Sequence, residues 1–71
     1  MTAEEAKQKT VEGIIRQIYA AIEQAGADGK SAMDFAWKSQ VRADIECDVR
    51  DALQSKGFRV YPLTGGIAIR W

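Results

Sequence analysis

From Val11 to Ala25 apolar residues recur at three- and four-residue intervals: Val11, Ile14, Ile15, Ile18, Ala21, Ile22 and Ala25. Lys7, Lys9, Glu12, Arg16 and Glu23 take the other side. This spacing predicts an amphipathic helix. Thr2 and Glu5 stand at capping-box spacing before it, and Gly26 is expected to close it as the left-handed residue. After a polar connection, Ala27 to Lys30, the period drops to two. Met33, Phe35 and Trp37 alternate with Ala32, Asp34, Ala36 and Lys38, which predicts a strand starting at Ser31 with one buried face. Helical spacing returns in Val41, Ile45, Val49, Ala52 and Leu53, with Ser39 as expected N-cap and Gly57 as terminator. Phe58–Leu63 and Ile67–Trp71 alternate on either side of Thr64-Gly65-Gly66, the pattern of a hairpin. Pro62 cannot donate to a ladder, so its strand is expected either to have an open edge there or to bend early. The order is α-β-α-β-β. One α+β domain, 1–71, is expected, with two helices on one face of a small three-stranded sheet that ends in a C-terminal β-hairpin. Ile18, Ile22, Phe35, Ile45, Val49, Leu53, Val60 and Ile69 are its expected core.

Composition narrows what such a domain can do. Its 71 residues include one cysteine, no histidine, and ten basic residues against ten acidic ones. Cys47 has no partner for an intrachain disulfide, and a zinc site would need several Cys or His ligands; no metal or cofactor is expected. A core this small supplies only about 3–5 kcal/mol without a staple. Self-association is the staple left open, so a homo-oligomer, most simply a dimer, is expected. No apolar run approaches the ~18 residues of a membrane span. The acidic opening Met1-Thr2-Ala3-Glu4-Glu5 is unlike a signal peptide, and a free cysteine suits a reducing compartment. A cytoplasmic location follows as the expectation.

Few residues here carry chemistry. Cys47 lacks a histidine to act as its base, and a packing role is expected. Asp44, Glu46, Asp48 and Asp51 share the second helix, where a straight acidic row reads as a solvated face, not as the ion-wrapping loop of a calcium site. Gly65-Gly66 is followed by neither Lys-Ser/Thr nor a helix, so turn chemistry accounts for it. The surface of interest is the second face of the sheet, with Arg59, Tyr61, Leu63, Ala68, Arg70, Ala36 and Lys38 expected on it. Arg and Tyr are enriched at protein interfaces and also suit stacking on nucleobases. Arg59, Tyr61, Arg70, Lys38 and Trp71 are the candidate partner-binding residues. Trp71 ends the last strand, either packed under the helices or offered as an exposed aromatic. A winged-helix, nucleic-acid-binding module is one alternative. It is weakened by the stretch Ser39 to Lys56, where three bases face four acids, since duplex binding depends on phosphate neutralisation. A small-molecule binder with a site between subunits is another.

Met1-Thr2-Ala3-Glu4-Glu5-Ala6, Gly57-Phe58-Arg59-Val60 and Ile69-Arg70-Trp71 resemble the ends of a group of small uncharacterised tailed-phage proteins. These open with a Met-Thr-Ala-x-Glu-Ala-like helix and close with Gly-(Phe/Tyr)-x-Val and a final Ile-x-Trp. Ala27 to Ser55 carries no matching motif. The resemblance implies a phage origin, hence the host cytoplasm, and a helix-plus-hairpin fold; it brings no activity and no site residues. Taken with the composition, it leads to the expectation of a non-enzymatic phage accessory protein. Such a protein would act by contact with itself or with a host or phage protein, as a host-directed inhibitor or an assembly factor.

Overall fold

A computed structural model describes residues 1–38 and 40–71. Among the described residues the chain forms helix α1 (Ala3–Ala27), strand β1 (Ala32–Ala36), helix α2 (Ala43–Ser55) and strands β2 (Arg59–Leu63) and β3 (Gly66–Arg70). The expected α+β order is observed. The strands make one antiparallel sheet in the order β1-β3-β2. β1 and β2 therefore run parallel with β3 between them, and β1-α2-β2 is a split β-α-β unit.

Local chemistry explains the boundaries. Thr2 Oγ1 accepts the Glu5 N–H at 3.1 Å, one half of the expected capping box. At its other end α1 runs one residue past Gly26, and the left-handed residue is Gly29 at φ 82°. Lys30 N–H bonds Ala25 O at 2.9 Å and Gly29 N–H bonds Gly26 O at 3.0 Å. This is the Schellman pairing, which satisfies carbonyls that the last helical turn leaves free. The same pairing ends α2, with Phe58 N–H on Leu53 O and Gly57 N–H on Gln54 O, and Gly57 at φ 93°. β1 is shorter than the alternation predicts: it spans Ala32 to Ala36, and Lys38 lies in a bend beyond it. α2 likewise begins at Ala43, not at Ser39, which lies outside the described residues. Arg42 occupies its N-cap without a side-chain cap bond. Asp44 compensates by accepting the Ile45 N–H at 3.0 Å.

The core sits between the helices and one face of the sheet. Ile18 of α1 meets Ile45, Val49 and Leu53 of α2 and Val60, Ile67 and Ile69 of the hairpin. Each such side chain contributes about 1.5–3 kcal/mol by leaving water. Of the expected core, Ile22 and Phe35 are half-buried, because Ile22 flanks the stripe and Phe35 lies on an edge strand. Val11, Ile14, Ile15, Met33, Trp37, Val41 and Phe58 pack around the same cluster. Pro62 falls on β2, an edge strand, as its missing N–H requires.

The helices run in the same direction. Lys7 of α1 reaches Asp44 and Asp48 at the start of α2, each at 3.2 Å, while Tyr19 lies 6.3 Å, ring to ring, from Phe58 just past the end of α2. One end of the molecule thus gathers both helix N-termini and the hairpin turn, tied in by a bond from Trp37 N–H to Gly65 O at 2.9 Å. The opposite end gathers both helix C-termini, Ser31, Gly57 and the Arg59–Arg70 ends of β2 and β3.

Candidate functional site

The helices cover one face of the sheet, and the other face is exposed. Its side chains form three rows across the strands: Ala32–Arg70–Arg59, Asp34–Ala68–Tyr61 and Ala36–Gly66–Leu63. Tyr61 and Leu63 are 46% and 45% exposed, large apolar surfaces beside positions occupied by Ala and Gly. Gly66 has its own reason to lack a side chain. A Cβ there would fall on the Phe35 carbonyl oxygen of β1, so the bare backbone lets the strands approach.

The arginine row is the chemically distinctive part. Arg59 and Arg70 are directly opposite on neighbouring strands, which puts their Cα atoms about 4.5–5.5 Å apart. Like charges so placed disfavour the pairing. The Arg70 guanidinium lies 5.5 Å from the centre of the Tyr61 ring, a cation–π contact that holds it while leaving its N–H groups free. Among the described residues neither guanidinium has a carboxylate or another hydrogen-bond partner in reach. The residues Arg59 and Arg70 line a cleft of about 550 Å³, together with Ser31, Ala32, Gly57 and Trp71.

Of the five candidate residues, the structure brings Arg59, Tyr61 and Arg70 together. Lys38 does not join them: it lies beyond the Ala36 end of β1, while the arginines lie level with Ala32 at the other end. Trp71 follows the parity of Ile67 and Ile69 and belongs to the helix side, where its ring packs edge-on against Phe58 at 6.3 Å. Its backbone N–H donates to Ser31 O at 2.9 Å, and the residue, 42% exposed, is among those that line the cleft.

Elsewhere the acidic row is more than a solvated face. Lys7 bridges Asp44 and Asp48 across the helices, and these bonds, first to Asp48 and then to Asp44, raise the Lys7 pKa above its ordinary value. For Asp44, desolvation pulls upward, but Lys7, Arg42 and the Ile45 N–H together outweigh it and hold the carboxyl below its ordinary value. Cys47 is exposed, contrary to a packing role, because it lies off the Ile45–Val49–Leu53 stripe; its sulfur accepts from Arg50 Nη2 at 3.4 Å.

One signal for the arginine row was present in the sequence. From Ala52 to Trp71 there are three bases and no acid, against seven bases and ten acids before it, so the two unequal segments carry 3 − 0 = +3 and 7 − 10 = −3. Interleaving of charge holds for the whole chain and fails for this segment.

Fold and face together define a small α+β domain with one uncovered, partly basic sheet face. No known protein family, curated protein or solved structure matches the chain. Among the described residues no helix is long and apolar enough to cross a membrane.

Proposed function

We propose that this protein acts by surface contact, without chemistry of its own, and that its partner is a second copy of the chain joined through the uncovered sheet face. The observation that carries the reading is the pair Tyr61 and Leu63, nearly half exposed beside Ala36, Gly66 and Ala68. Small residues let an opposing surface come close, and the two large ones supply area to bury. A two-fold dimer makes such a patch self-complementary and adds burial to a core near the lower size limit. The likeness of the chain's ends to small tailed-phage proteins supports an accessory role in infection. A winged-helix role is disfavoured by the exposed side of α2, which presents Asp44, Asp48 and Asp51 where duplex binding needs cations.

Sedimentation at micromolar concentration tests the reading. The expected species is twice the 7.9 kDa chain mass, and Tyr61→Asp with Leu63→Asp should return it to monomer with its circular dichroism unchanged. A wild-type chain that sediments as a monomer would sink self-association and leave the face to a different protein partner.

A further inference from the structure

We propose that the cleft between Arg59, Arg70 and Trp71 is a binding site for a phosphate monoester whose organic part is planar, such as a mononucleotide. The site is built by one chain, so the inference goes beyond self-association and does not depend on it.

Two arginines directly opposite on adjacent strands repel each other, and among the described residues neither is in an ion pair, the acid of the same face, Asp34, standing one row away on β1. An anion between them removes that repulsion and engages both planar N–H forks, the geometry that arginine offers to oxyanions. The charge of the pair, +2, matches a phosphate monoester, which carries about −1.5 to −2 and three acceptor oxygens. A carboxylate brings one charge and two oxygens, and satisfies one fork. The Tyr61 ring orients Arg70 without consuming its donors, so the site is partly set before a ligand arrives. Charge on a larger scale agrees: the segment contributing both arginines carries no acid.

The cleft's volume of about 550 Å³ falls within the roughly 300–1,000 Å³ of small-molecule sites, with room beyond a phosphate. Trp71 is among the residues that line the cleft, 42% exposed, with its ring braced edge-on by Phe58 at the end of the sheet. A braced, half-exposed indole suits stacking on a planar group. Gly57, at φ 93° with open space where a Cβ would stand, adds no side chain to the wall.

Backbone amide NMR of the whole chain, titrated separately with inorganic phosphate, adenosine and adenosine monophosphate, tests the proposal. Phosphate should give saturable shifts confined to Ser31, Gly57, Arg59, Arg70 and Trp71, and the monophosphate should bind about tenfold tighter through stacking. Adenosine alone should bind more weakly than the monophosphate. Arg59→Gln with Arg70→Gln should abolish phosphate binding while the melting temperature holds or rises, since the repulsion goes too. Trp71→Leu should keep phosphate binding and erase the advantage of the monophosphate. No saturation by either anion, shifts spread over Lys7, Lys9 and Arg16, or unchanged affinity in the double glutamine variant would each overturn the site. Equal affinity for phosphate and the monophosphate would overturn the planar-ligand assignment. Sedimentation of the same samples keeps a failure of self-association separate from a failure of binding.

Discussion

Gly66 shows how one residue can fix a sheet. It lies in the central strand opposite Ala36 on one side and Leu63 on the other, where the backbone of β1 occupies the space a side chain would need. Gly66→Ala must push β1 away or bend β3, and overpacking of this kind costs about 1–3 kcal/mol. An unfolding free energy lowered by that amount, read as a lower denaturant midpoint at unchanged slope, with the helices retaining their dichroism to the transition, is the expected result; an unshifted midpoint would show that the strands give way freely. This constraint was not legible in the sequence, where Gly65 and Gly66 read together as turn residues. Only Gly65 serves the turn, at φ 77°. With Thr64 it makes a two-residue connection that pairs Leu63 with Gly66, and hence Arg59 with Arg70. Reading the turn as three residues hid the arginine pair, although the register needed to find it follows from counting outward from Thr64-Gly65.

At the scale of elements, periodicity identified each helix and strand, because every one buries a single face. It erred at boundaries set by hydrogen bonds. α1 stops at the Schellman pairing around Gly29, and β1 stops where Trp37 turns to bond Gly65. The contact between α1 and α2 was also hidden, since a row of aspartates says nothing about which cation will face it. Lys7 joins those elements, and pH should report it. The Asp44 pKa is held below its ordinary 3.8, so this contribution to stability is present above that value and is lost as pH falls through the lower folded one. The Lys7 pKa is raised above 10.5, so its contribution is present below that value and is lost as pH rises through the higher folded one. Lys7→Met should flatten both limbs of the melting temperature against pH, and added salt should shrink the difference because the pair is partly solvated. Equal acid limbs in the two proteins would assign the Asp44 shift to Arg42 and the Ile45 N–H instead.

On the scale of the whole molecule, the sheet order β1-β3-β2 has a consequence for how the chain is made. Synthesis is vectorial, and β3 leaves the ribosome after both of its neighbours. Until it does, β1 and β2 have no strand to pair with, and Ile67 and Ile69 are missing from under the helices. A nascent chain can form helices, which are local, but it has nothing to close the core around. Ribosome-bound chains truncated after Leu63 and carried clear of the exit tunnel by an added linker should therefore be cut rapidly by protease, whereas chains carrying Gly66–Arg70 clear of the tunnel in the same way should resist. Resistance already present at Leu63 would show that the helices and β2 hold together alone. Protection should come late and all at once, and until then the nascent chain is a client for whatever chaperones wait at the tunnel mouth.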